Sequence, residues 1–224
     1  MKNKAPLVCL AGWGFSTAIW ESLLPYLSES FDVICLDLSD MTDDLGAWLD
    51  GLLSSLPQTF SVLGWSLGGL IAQYMAKRYP NRVQQVLALC STRYFPEENH
   101  WPGIPKDQLA DFQTLSQENM ADLLKQFSRW QVSLRDRSAI EVINKALLRD
   151  HHAALQHGLN HLCSLDMREE KTRHHFLLAN HDALLPASLA ETLVDDVRVV
   201  SGTHALLVSH PEVVASWVSE VWHG

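Results

Sequence analysis

The chain has 224 residues, 47% of them hydrophobic, which suits one large domain with a substantial core. Its 17 Lys and Arg against 26 Asp and Glu leave −9 with histidines neutral. That balance argues against a nucleic-acid partner, which needs a basic footprint, and no apolar run approaches the ~18 residues of a membrane span.

In chain order, Met1 to Pro6 carries basic residues, but the apolar run that follows, Leu7 to Ala11, is short and meets Gly12, Gly14 and Ser16 at once. It reads as a strand and not as a signal peptide. Further strands are expected at Val33–Asp37, Phe60–Leu63, Val86–Cys90, Phe176–Asn180 and Val197–Val200. Helices are expected near Ala18–Ser28, Leu45–Leu53, Gly69–Arg78, Ala187–Leu193 and Pro211–Trp222. This alternation predicts an α/β fold, a mostly parallel sheet flanked by helices. Runs such as Val33-Ile34-Cys35-Leu36 read as strands buried on both faces.

Residues 93–165 break the rhythm. After Pro96, Trp101-Pro102-Gly103 and Pro105 the pattern is helical throughout, with Met120, Leu123, Leu124 and Phe127 at i, i+3, i+4 and i+7 and a second stripe at Leu155, Leu159 and Leu162. We read a helical lid inserted into one structural domain, whose core is residues 1–92 and 166–224. The four cysteines, Cys9, Cys35, Cys90 and Cys163, lack metal spacing and read as reduced small hydrophobes, as in a cytoplasmic protein. The doublets His151-His152 and His174-His175 point their rings apart and read as solvated, so no metal is expected.

The strongest chemical signal is Gly64-Trp65-Ser66-Leu67-Gly68-Gly69, between an apolar strand and a helical pattern. A serine on so tight a strand-to-helix turn is a candidate nucleophile, with glycines on either side relieving collisions and the helix N-terminus favouring developing negative charge. Serine needs a positioned base and an acid behind it. Asp182 and His204 each follow a late strand and so lie at the sheet edge that carries Ser66. Asp37 and Asp40 are the rivals for the acid; His181 and His210 are less suited as base. The N–H groups of Leu67 and Trp13 are the candidate oxyanion donors, although Trp13 also suits core packing.

With these residues in place, the sequence resembles the α/β-hydrolase family over nearly its whole length. Within the family it is similar to esterases that act on acyl chains held by acyl carrier protein. Leu10-Ala11-Gly12-Trp13-Gly14, the serine motif, Trp101-Pro102-Gly103-Ile104, Phe112-Gln113, His204-Ala205 and Ser209-His210-Pro211 carry the likeness. The resemblance implies cofactor-independent hydrolysis of a pimeloyl methyl ester in biotin synthesis, with Ser66, Asp182 and His204 as triad and acyl carrier protein as partner. Departures are Ala11 where His is usual, a short stretch before the first strand that predicts no leading antiparallel strands, and Leu38-Ser39-Asp40-Met41 in place of a Pro-Gly turn. Residues 125–149 sum to +4, leaving −13 for the rest. Arg129, Arg135, Arg137 and Arg149 are candidate docking residues for an acidic carrier, with Lys125/Arg129 and Lys145/Arg149 expected to share helix faces. A monomer is expected. Other readings are a small-ester or thioester hydrolase, a lyase on this fold, or an inactive binding module.

Overall fold

The computed structural model describes residues 4–133 and 135–223; Met1–Asn3, the start of the basic N-terminal stretch, lie outside them. Among the described residues six strands form one sheet: β1 (Ala5–Leu10), β2 (Phe31–Leu36), β3 (Phe60–Trp65), β4 (Val83–Leu89), β5 (His175–Ala179) and β6 (Asp196–Val200). Their order is β2-β1-β3-β4-β5-β6, and every pairing is parallel. All six C-terminal ends therefore meet one edge of the sheet, where loops gather in open α/β folds.

The helices are α1 (Leu24–Leu27), α2 (Leu45–Leu53), α3 (Leu67–Arg78), α4 (Lys106–Glu118), α5 (Met120–Arg129), α6 (Arg137–Ala146), α7 (His152–Ser164), α8 (Leu189–Thr192), α9 (Leu206–Ser209) and α10 (Pro211–His223). Among the described residues no helix is long and apolar enough to cross a membrane. Local chemistry sets several starts. Asp44, Asn119 and Asp136 accept the N–H of Ala47, Asp122 and Ala139 at 2.9, 3.1 and 3.0 Å, capping α2, α5 and α6. Pro211 occupies the first turn of α10, where a missing N–H costs nothing.

Three expected elements differ. The helix near Ala18–Ser28 is a 3₁₀ turn (Thr17–Trp20) and the four-residue α1, whose first turn holds Pro25. The helix at Ala187–Leu193 shrinks to α8, because Pro186 restricts the preceding backbone and Leu193 is already extended. Val33 to Leu36 are only half-buried: β2 is an edge strand, and an apolar run does not reveal sheet position.

Between β4 and β5 lie α4 to α7. Met120, Leu123, Leu124 and Phe127 of α5 are all buried, as are Leu155, Leu159 and Leu162 of α7. At about 1.5–3 kcal/mol each, such side chains hold the insertion together more firmly than its capping bonds do. Its two ends are tied by Arg93, which is 2% exposed. The guanidinium donates to Asp195 from Nε at 2.8 Å and from Nη2 at 2.6 Å, and also to the carbonyls of Met167, Glu170 and Thr172. Removing one partner of so buried a pair costs about 3–5 kcal/mol.

The histidine doublets are not all solvated. His174 is 4% exposed, and burial, with Arg93 nearby, lowers its pKa to about 4. His151, His157 and His161 join α7 to the loop after β2, contacting Ser39 O, Asp43 Oδ1 and Thr42 O at 3.0–3.3 Å.

Candidate active site

Ser66 follows β3 and precedes α3 with φ 55° and ψ −123°, a backbone conformation that non-glycine residues seldom adopt. Its surroundings enforce it. A Cβ at Gly64 would lie 2.4 Å from Gly68 O, and one at Gly68 would lie 2.2 Å from Leu10 O. The turn thus closes tightly enough to lay the start of α3 against the end of β1. Ser66 N–H donates to Leu89 O at 2.9 Å, and the Ser91 hydroxyl donates to Ser66 O at 2.7 Å.

Asp182 and His204, which follow β5 and β6, are brought together. His204 Nδ1 lies 2.7 Å from Asp182 Oδ2, with the two side chains 0% and 2% exposed. Asp182 Oδ1 accepts the N–H groups of Leu184 and Leu185 at 2.8 and 3.1 Å, so one carboxylate oxygen is held by the loop and the other by the imidazole. His204 Nε2 is buried and has no hydrogen-bond partner among the described residues. Resting enzymes often show such loose contacts, which tighten with substrate. The rival acids are occupied elsewhere: Asp37 accepts from Thr17 N and Ser39 N, and Asp40 from Trp48 Nε1. His181 is exposed, and His210 lies between α9 and α10.

Trp65, inside the serine motif, was not singled out as a site residue by its sequence position, yet it ties β3 to the histidine. Its indole N–H donates to His204 O at 2.9 Å, and the two rings are 5.6 Å apart. On the other side, Ala205 N–H donates to Gln131 O of the insertion at 2.8 Å. The backbone of the His204 loop is therefore gripped by both core and insertion. Gln131 itself is fully buried, and nothing in its sequence neighbourhood signals that contact.

Trp13 lies on the loop after β1, 2% exposed. Its indole donates to Leu155 O at 2.7 Å and meets Phe127 edge-on at 5.0 Å, so the side chain packs beneath the insertion. The backbone N–H groups of Trp13 and Leu67 have no acceptor among the described residues; that of Leu67 is an open first-turn donor of α3. Ser66 is 3% exposed and His204 0%, so both groups are buried in this structure.

Arg129, Arg135, Arg137 and Arg149 are all exposed. Arg149 lies beyond the end of α6, so it shares no helix face with Lys145, which instead pairs with Glu21 at 2.7 Å. Arg149 and Lys125 line a cleft of about 340 Å³ between α5 and the end of α6, with Ala121, Leu124, Asn144 and Leu147. Leu124 approaches Gly14 and Leu147 bridges to Phe15, placing the cleft against the loop that holds Trp13. No group of three or more His, Cys, Asp or Glu is arranged to hold a metal among the described residues.

Comparison with known proteins gives a consistent set of relatives. Residues 5–129 match a family described as alpha/beta hydrolase fold. A pimeloyl-[acyl-carrier protein] methyl ester esterase of Shewanella woodyi is 35% identical over 73% of this chain and 69% of its own. One of the same name from Shewanella sp. (strain MR-7) is 30% identical over 96% and 90%. Among solved structures, the enol-lactonase of Burkholderia xenovorans LB400 superposes with TM-score 0.81 at 16% identity over 99% and 92% of the two chains. BioG of Haemophilus influenzae does so with TM-score 0.68 at 20% identity over 92% and 91%. These two likenesses speak to the fold.

Proposed function

The chain belongs to the α/β-hydrolase family, and on that premise we propose that it hydrolyses the methyl ester of pimeloyl-[acyl-carrier protein], releasing methanol, as a step of biotin synthesis. The observation that carries the chemistry is the 2.7 Å contact of His204 with a buried Asp182 at the sheet edge where Ser66 sits on a strained turn.

In this reading Asp182 fixes the imidazole with its proton on Nδ1, which leaves Nε2 free to accept a proton from Ser66 Oγ. The serine oxygen attacks the ester carbonyl, and the oxyanion is held by the N–H groups of Trp13 and Leu67, helped by the N-terminus of α3. His204 then gives its proton to the departing methoxide, and methanol leaves. Water, deprotonated by His204, attacks the acyl-enzyme; the acid departs and Ser66 recovers its proton. The steps require neither metal nor cofactor.

Acyl carrier protein is the macromolecular partner. Arg129, Arg135, Arg137 and Arg149, joined by Lys125, give the α5–α6 hairpin an exposed basic surface on an otherwise acidic chain. A local patch acts apart from distant charge because interactions between exposed charges are screened beyond about 8 Å at physiological salt. A fluorophosphonate probe and a charge reversal test both parts. Labelling is expected at Ser66 and its absence would remove the hydrolase assignment. Arg135→Glu with Arg137→Glu is expected to lower kcat/KM for the carrier-linked ester and leave a small soluble ester unchanged. Equal losses on both would remove the docking role.

A further inference from the structure

The molecule holds a pair of sulfurs that the ester chemistry does not use. Cys9 and Cys35 are direct register partners on the adjacent parallel strands β1 and β2, so their side chains point to the same face of the sheet. Neighbouring strands run about 4.8 Å apart, inside the roughly 4.4–6.8 Å between Cα atoms that a disulfide spans. Cys9 is fully buried, whereas Cys35 is half-buried on the edge strand, which has a neighbour on one side only and room to adjust. The neighbouring Cys9 thiol lowers Cys35 from its ordinary value, while burial pushes Cys9 up. The other two cysteines serve as contrasts. Cys163 is also half-buried, but burial alone raises it to about 11; Cys90 is buried, and burial raises it as well.

We propose that Cys35 and Cys9 form a peroxide-responsive dithiol whose disulfide ties β2 to β1 and lowers activity through the oxyanion loop. Cys35 is the sulfur that peroxide reaches. Its thiolate attacks one peroxide oxygen, the O–O bond breaks, and the products are a sulfenic acid and, after protonation, water. The Cys9 sulfur then displaces hydroxide from the sulfenic sulfur, forming the S–S bond and a second water. In sum, two thiols lose two electrons and two protons, and one hydrogen peroxide becomes two waters.

The link to activity is short. Two residues beyond Cys9, Ala11 N–H donates to Leu36 O at 3.0 Å, next to Cys35, and Gly12 and Trp13 follow. Drawing the two sulfurs into bonding distance moves this last rung, and with it the Trp13 N–H. This consequence rests on the proposed esterase mechanism; formation of the disulfide does not.

The test treats the folded wild-type protein with graded hydrogen peroxide, followed by intact mass, mapping of linked peptides and esterase activity on a small soluble ester. The expected results are a loss of two hydrogens, a peptide joining Cys9 to Cys35 before Cys163 oxidises, and a several-fold loss of activity that dithiothreitol restores. Cys163→Ser is expected to behave as wild type, and Cys9→Ser to accumulate a Cys35 sulfenic acid that dimedone traps. Absence of the linked peptide in wild type, or oxidation of Cys163 at the same rate as Cys35, would overturn the site. A linked peptide with activity unchanged would overturn its coupling to the oxyanion loop while leaving the hydrolase assignment intact. Lack of esterase activity before any peroxide is added would instead count against that assignment.

Discussion

Replacing Asp182 with asparagine probes the account with almost no change of volume. In the native site, Oδ1 is committed to the N–H groups of Leu184 and Leu185, and Oδ2 faces His204 Nδ1 at 2.7 Å. The two N–H donors dictate how an asparagine amide turns: its oxygen stays on the loop, and its NH₂ faces the imidazole. A donor opposite Nδ1 forces the imidazole proton onto Nε2, the atom that must accept from Ser66. The base then has the wrong tautomer and the imidazolium has lost its counter-charge. Where this substitution is made in a serine–histidine–aspartate site, kcat falls about 10⁴-fold with the geometry preserved. That corresponds to about 5 kcal/mol of transition-state stabilisation. The assay is steady-state hydrolysis of a chromogenic ester, with circular dichroism and Tm as controls for folding. KM is expected to be nearly unchanged. If Asp182→Asn kept activity within tenfold, or if Asp37→Asn lost as much, the assignment of Asp182 would be wrong.

Trp65→Phe keeps a ring against His204 but removes the N–H that holds its carbonyl, and kcat is expected to fall about fivefold with KM unchanged, since one lost hydrogen bond is worth about 1 kcal/mol; an unchanged kcat would refute the positioning role. His174 gives a signature in stability. Its pKa is about 4 folded against 6.5 as the reference, so below pH 6.5 the unfolded chain binds a proton that the folded chain refuses until near pH 4. Its stabilisation is whole above pH 6.5 and is lost as pH falls toward 4, by at most about 3 kcal/mol. Urea denaturation at pH 7 and pH 4.5 is expected to show His174→Leu losing less stability between the two than wild type does, and equal losses would contradict this.

Much of the framework was legible because parallel strands and long helices write strong periodicities. The apolar stripe of α5 was readable from Met120 to Phe127, and all four side chains are buried. What failed was local or topological. A four-residue helix such as α1 has too few turns to show a period, and packing decides it. The half-burial of β2 follows from its place at the sheet edge, which strand order sets and residue type does not. The same holds for the facing of Cys9 and Cys35, 26 residues apart but registered across two strands. At the site, Ser66 was marked by its glycines, and Asp182 and His204 by following strands. The grip of Trp65 and Gln131 on the histidine loop left no trace, because it depends on long-range packing. His174 was misread for a related reason: only the tertiary structure places Arg93 and Asp195 around it.

The proposed reaction is a Ser66-dependent conversion of a carrier-bound methyl ester to its acid. Mass spectrometry of pimeloyl-[acyl-carrier protein] methyl ester, incubated with wild type and with Ser66→Ala, tests it most directly. Wild type alone is expected to remove the mass of one methylene from the carrier species, with methanol released. An unchanged carrier with wild type, or the same loss with Ser66→Ala, would contradict it.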